Sequence, residues 1–228
     1  FSLEEFYDLQ VSGETTNIFE VFRYVKDVVG TANPYAYAAN GTATGTDRID
    51  FNNDTATAVS KGPIHGAKYG SNIGNINYGY ATGGYGPGNQ GKSTISRIDY
   101  SNDAATAEIK GPLSTAIYNH AGVGNMDYGY SVCGQEFPGN TSSNRYTFTQ
   151  RTDYSNDTAT ASPKGNFPVA LWMGGTSGTG TVDYGWIGNG SLGYASYSTI
   201  NRIDYSNDTA AATPRGPLST FGKNGRKA

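Results

Sequence analysis

One eleven-residue segment occurs four times along this chain, and that repetition constrains the fold more than any other feature. Arg48-Ile49-Asp50-Phe51-Asn52-Asn53-Asp54-Thr55-Ala56-Thr57-Ala58 returns, with small changes, from Arg97, from Arg151 and from Arg202, at spacings of 49, 54 and 51 residues. Every copy then reaches a basic residue and a glycine: Lys61-Gly62, Lys110-Gly111, Lys164-Gly165 and Arg215-Gly216. From arginine to that glycine the distance is 14 residues each time, so this piece has a fixed register. A second marker lies upstream, at Tyr78-Gly79-Tyr80, Tyr128-Gly129-Tyr130 and Tyr184-Gly185-Trp186, with Tyr35-Ala36-Tyr37 as a degenerate first copy. Between marker and arginine the gap runs 13, 19, 23 and 18 residues and is rich in Gly, Ser, Asn and Pro. That interval reads as a variable exposed loop on a constant scaffold, the usual place for recognition.

The repeated segment reads as a hairpin. In Arg-Ile-Asp-Tyr, period-two alternation puts Arg and Asp on one face of a strand and Ile and Tyr on the other. Ser-Asn-Asp supplies a turn, because Asn and Asp side chains bond their own backbone. Thr-Ala-Thr-Ala is expected to form the return strand, which Gly-Pro ends. With one strand through Tyr-Gly-Tyr and another before it, each unit of about 50 residues holds three to four short strands. So small a sheet cannot stand alone and must stack on its neighbours, and radial stacking into a propeller suits this period. Composition agrees: 32 glycines, 9 prolines and 18 tyrosines among 228 residues disfavour a helix bundle. The expected fold class is therefore all-β, a β-propeller-like array of four repeats. Residues 1–30 form an N-terminal extension or docking segment, 31–222 the four-repeat domain and 223–228 a basic tail. A helix over 2–9 and an extra strand over 18–25 are expected in the extension.

Two resemblances follow from these residues. The order Asp183-Tyr184-Gly185-Trp186, variable loop, Arg202-Ile203-Asp204-Tyr205, polar turn and strand resembles a kelch-like propeller repeat, and Gly83-Gly84 fits its glycine pair. The tryptophan strand of that family is replaced by Thr-Ala-Thr-Ala. The core Arg-Ile-Asp-Tyr-Ser-Asn-Asp-Thr-Ala-Thr-Ala, followed by Lys-Gly-Pro-Leu-Ser, is similar to repeats in tail-fibre and structural proteins of marine bacteriophages, including cyanophages. It covers about residues 35–220. The resemblance implies a virion setting: a non-enzymatic tail, fibre or surface appendage that assembles with other virion subunits, as a homo-oligomer, and meets host-surface glycan. A secreted or cell-surface lectin-like carbohydrate-binding module is the alternative.

The ionisable residues point the same way. Eight of 13 aspartates and eight of 16 basic residues belong to the repeats, and an active site normally occurs once. Arg48, Asp50, Arg97, Asp99, Arg151, Asp153, Arg202 and Asp204 are expected to be structural, pairing across or between blades. His65 and His120 are isolated imidazoles and make no zinc site. The acidic spacing lacks the pattern of a calcium loop, and no Gly-Xaa-Ser-Xaa-Gly nucleophile motif occurs. No catalytic residue, metal or cofactor is expected. Cys133 is the single cysteine and reads as a small apolar filler in a strand. A net charge of −3 gives no reason to expect nucleic acid, and no stretch has the ~18 apolar residues of a membrane helix. The chain begins with Phe1 and carries no signal-peptide pattern there, as expected of a processed product or part of a longer polypeptide. Candidate ligand-binding residues are the loop aromatics Tyr85, Phe137, Tyr146, Tyr194 and Tyr197, whose rings offer an apolar face and a polar hydroxyl.

Overall fold

The computed structural model describes residues 34–39, 45–65, 69–86, 91–136, 145–168, 177–192 and 195–219. The expected N-terminal helix and strand, and the basic tail, lie outside them. The chain divides into two units, 1–35 and 36–228, and the repeats fill the second.

The strands of the described residues fall into four sheets, and every pairing among strands from Thr46 onward is antiparallel. The first is β1 (Tyr35–Ala39), β2 (Thr46–Asp50) and β3 (Val59–Lys61). The second is β4 (Ser71–Gly74), β5 (Tyr78–Thr82), β6 (Ile95–Asp99) and β7 (Glu108–Lys110). The third is β8 (Ala121–Gly124), β9 (Tyr128–Val132), β10 (Thr149–Asp153) and β11 (Ser162–Lys164). The fourth is β12 (Ser177–Gly180), β13 (Tyr184–Leu192), β14 (Ala195–Asp204) and β15 (Thr213–Arg215). Strand order follows chain order in each, so every sheet is a meander built from one sequence repeat. Among the described residues helix is confined to short 3-10 turns such as Tyr100–Asn102. This is an all-β, propeller-like architecture.

The markers set the register. Tyr80 lies opposite Arg97, Tyr130 opposite Arg151 and Trp186 opposite Arg202. The glycine between the two aromatics is required by close approach. A Cβ on Gly129 would stand 2.5 Å from the Tyr154 hydroxyl and 2.2 Å from Ile73 Cδ1 of the preceding sheet. A Cβ on Gly79 or Gly185 would likewise meet the Tyr100 or Tyr205 hydroxyl, at 2.7 and 2.5 Å. In the first sheet both positions change together, to Ala36 and Phe51: a methyl is added where a hydroxyl is lost.

One expectation is corrected. The Thr-Ala-Thr-Ala segment is not a strand, since β3, β7, β11 and β15 begin only after it. Its amides are already committed. Ala105 N–H closes the turn on the Asn102 carbonyl, and Ala107 N–H reaches back to the Pro63 carbonyl of the preceding sheet. Ala159 and Ala161 do the same with Asn156 and Pro112, and Ala210 and Ala212 with Asn207 and Asn166. The segment is a bracket between sheets.

The core lies between sheets, not inside any one of them. Ile64, Ile98 and Ala107 fill the first junction, and Ile73, Tyr80, Ile95, Leu113, Ile117 and Ala161 the second. The third buries Val123, Tyr130, Val132, Cys133, Phe167, Ile187, Ile203 and Tyr205. Cys133 is fully buried, as a filler should be, but it follows β9 rather than lying in a strand. It has φ +58 and occupies the place that Gly83, with φ +57, holds in the preceding repeat. A left-handed backbone at a residue with a Cβ costs about 1–2 kcal/mol.

Candidate functional site

The repeated arginines do link neighbouring sheets, through an aspartate other than the expected one. Arg48, Arg97 and Arg151 each place Nη1 2.8 Å from the carboxylate of Asp103, Asp157 and Asp208 in the next repeat. The basic residue before glycine adds a second contact: Lys61 to Asp103 and Lys164 to Asp208 at 3.1 Å, Lys110 to Asp157 at 3.7 Å. Lys110 stands further off because Glu108 also holds its ammonium, at 2.7 Å. The second aromatic of each marker completes the clasp. Tyr37, Tyr80 and Tyr130 donate their hydroxyls to the same carboxylates at 2.9–3.0 Å. Their rings stack on Tyr100, Tyr154 and Tyr205 of the next repeat, with centroids 4.7–4.9 Å apart. Gly62, Gly111 and Gly165 donate backbone N–H to the carbonyls of Asp103, Asp157 and Asp208, each at 2.8 Å.

Electrostatics follow from that geometry. Burial alone would raise Asp103, but hydrogen bonds from Lys61, Tyr37 and Arg48 outweigh it and hold the carboxyl below its ordinary value. Burial, with the Asp103 charge behind it, pushes the Tyr37 hydroxyl up to about 12. The first tyrosine of each marker steadies the arginine from below: the guanidiniums of Arg97, Arg151 and Arg202 lie 4.1–4.4 Å over the rings of Tyr78, Tyr128 and Tyr184.

The expected partners Asp50, Asp99, Asp153 and Asp204 do something local instead. Each accepts the backbone N–H two residues on, from Asn52, Ser101, Ser155 and Ser206, at 2.9–3.0 Å. Hydrogen bonds from Ser101 and Ser206 lower the Asp99 and Asp204 carboxyls. Sequence reasoning treated Asp103, Asp157 and Asp208 as turn formers. The signal available was that the second aspartate, like the arginine, is kept in all four copies.

The candidate ligand-binding aromatics fall into two groups. Tyr85 follows Gly83 and Gly84, which have φ +57 and +100, and sits in a cluster with Tyr69 (centroids 6.4 Å) and Tyr118 (5.5 Å). Tyr69 is 61% exposed and has φ +61, a conformation a bulky side chain rarely adopts. Such strained positions gather at functional sites. Asn119 N–H holds the Tyr69 carbonyl at 2.7 Å, and Tyr118 is buried and paired through both backbone groups with Gln135. Sequence reasoning missed Tyr69 and Tyr118, which lie outside the marker-to-arginine loops and meet Tyr85 only in space. Tyr146 packs on Phe148 in a tilted arrangement, centroids 4.6 Å apart, and donates a short hydrogen bond to Glu136. That bond, with burial, pushes the Tyr146 hydroxyl up to about 12. The structure does not bring Tyr146 into the Tyr85 cluster as a ring contact. Phe137 and Tyr194 lie outside the described residues, and Tyr197 has only its backbone described, opposite Gly190.

Two residues after Tyr118 stands His120, which is buried. Its Nε2 is 2.9 Å from Thr82 Oγ1. Thr82 Oγ1 also lies 3.1 Å from the Ser71 carbonyl, and His120 Nδ1 has no hydrogen-bond partner among the described residues. Burial pushes the imidazole down to about 3 and keeps it neutral. Among the described residues, no three His, Cys, Asp or Glu side chains group so as to hold a metal. No helix there is long and apolar enough to cross a membrane.

No family model and no curated protein matches the chain. Among solved structures it is similar to one titled "Structure of YjhT", with a TM-score of 0.66 at 12% identity over 82% of this chain. The chain spans 63% of that protein's length.

Proposed function

We propose that this chain is a non-enzymatic scaffold of a phage-like virion, an arc of kelch-like propeller blades in a tail, fibre or surface appendage whose loop face meets the host. The observation that carries this reading is the clasp. The same Tyr, Arg, Lys and Asp positions are used three times in succession to bind one sheet to the next. Charged side chains that an enzyme would concentrate once are here distributed as connectors, and the marker-to-arginine loops are left to vary on a fixed frame. Likeness to the phage repeats supplies the setting, and similarity to the structure titled "Structure of YjhT" supports the propeller-like fold. The direct test is localisation: antibody raised to this chain should decorate the appendages of the source particle. Labelling confined to host cells, or glycan hydrolysis by the purified chain, overturns the reading.

The Tyr69–Tyr85–Tyr118 cluster favours a second reading, a lectin-like module, because exposed tyrosine faces stack on sugar rings. On a glycan array, binding that is lost in Tyr69→Ala and kept in Ile109→Ser would support it. An array with no signal would count against it.

A further inference from the structure

We infer that the open side of the fourth sheet is a socket for the Asp54 turn of a second copy of this chain, so that copies join head to tail through the clasp that already joins sheets within one copy. The inference is independent of what the loop face binds. Three sets of donors in the structure grip a carboxylate of the next repeat. The fourth set, Trp186, Arg202, Arg215 and the N–H of Gly216, stands in the same register: Trp186 opposite Arg202, Arg202 opposite Thr213 and Ile200 opposite Arg215. No carboxylate among the described residues meets it. The glycines differ in the same way. A Cβ on Gly62, Gly111 or Gly165 would lie 1.8–2.0 Å from a carbonyl oxygen of the next repeat's turn, whereas around Gly216 nothing among the described residues lies within 4 Å.

The other end of the array is the matching half. Asp103, Asp157 and Asp208 are 7–8% exposed, while Asp54, in the same place of the first repeat, is exposed and contacts no described cation. Phe51, the counterpart of the stacked Tyr100, Tyr154 and Tyr205, is 60% exposed. The joint would place Arg202 and Arg215 on Asp54, stack Trp186 on Phe51 with the indole N–H as a donor, and pass Gly216 N–H to the Asp54 carbonyl. Charge is complementary, and each part repeats a contact seen three times. The links from the Asn75 and Asn125 side-chain N–H groups to the Met126 and Val182 carbonyls of the next repeat have no counterpart here, since Thr181 has no side-chain amide. The joint therefore rests on β13, β14 and β15. Among the described residues no contact joins the donor end to the acceptor end, and a joint between them in two copies would be heterologous.

Sedimentation equilibrium of the purified chain at low salt tests this. Concentration-dependent association is expected. Asp54→Ala and Arg202→Ala should each abolish it; Asp54→Ala should leave the thermal midpoint in place, since Asp54 meets no described cation, whereas Arg202→Ala also gives up its place over the Tyr184 ring and should lower the midpoint slightly. Mixed together, the two variants should form a 1:1 heterodimer that grows no further, since one retains a working socket and the other a working turn. A monomer at every concentration overturns the proposal, including one in which Asp54 and Arg202 prove coupled within a single chain. So does association that survives both substitutions, or a mixture that fails to pair.

Discussion

Asp157 receives the Arg97 guanidinium, the Lys110 ammonium and the Tyr80 hydroxyl, whereas Asp153 four residues earlier only caps a turn. Removing one partner of a buried, hydrogen-bonded pair strands the others, so Asp157→Ala should cost about 3 kcal/mol. Asp153→Ala loses an exposed cap and should cost about 1 kcal/mol. Urea titrations of the two variants compare them directly. His120 makes a pH-dependent contribution whose sign is fixed by burial. The unfolded chain takes up its proton below about pH 6.5, while the folded imidazole stays neutral until about 3. Between those values the unfolded state binds more protons, so stability is lost as pH falls, by up to about 1.4 kcal/mol per unit. The carboxyls of Asp99, Asp103 and Asp204 are all held below the ordinary aspartate value, so they add little to the change between pH 7 and 5. Thermal midpoints should therefore fall from pH 7 to 5 in the native chain and less steeply in His120→Gln.

At the scale of the element, the fixed 14-residue interval from arginine to glycine becomes a strand, a turn, a bracket and a three-residue strand that ends on the lysine. The markers were legible as strands because Tyr-Gly-Tyr and Arg-Ile-Asp carry β propensity and alternate. Thr-Ala-Thr-Ala has the same small-residue alternation, but the preceding sheet takes the Ala107, Ala161 and Ala212 amides, a long-range contact that no local pattern displays. Gly111 and Gly216 separate sequence from structure most directly. They hold equivalent positions, yet a methyl on Gly111 would meet the Ala159 carbonyl at 2.0 Å and a methyl on Gly216 would meet nothing. Gly111→Ala should destabilise by about 1–3 kcal/mol, as overpacking does. Gly216→Ala should stay within about 0.5 kcal/mol in the monomeric chain. Differential scanning calorimetry at low concentration distinguishes them.

For the whole molecule, cohesion comes from junctions between successive sheets, each with its own cluster of apolar side chains and its own carboxylate. Such an array behaves as a sum of units and nearest-neighbour interfaces. A chain ending after Pro168 loses one junction and keeps the other two. It should still show the β-sheet circular dichroism of the longer chain, with a lower midpoint. Complete loss of structure would mean that cohesion is not local.

The repeat arithmetic by itself determined that the chain is all-β, built from about 50-residue meanders with constant hairpins and variable loops, because strand alternation and turn chemistry are local properties. It also marked Arg48, Arg97, Arg151 and Arg202 as connectors. Tertiary structure alone decided which aspartate each of Arg48, Arg97 and Arg151 takes, that Tyr69 and Tyr118 gather around Tyr85, and that Asp54 and Arg202 join no such ion pair among the described residues. Those outcomes depend on the distance between residues of different repeats. Every copy carries nearly the same residues, so the sequence cannot distinguish a pairing within a repeat from one between neighbours, or an occupied end from an empty one.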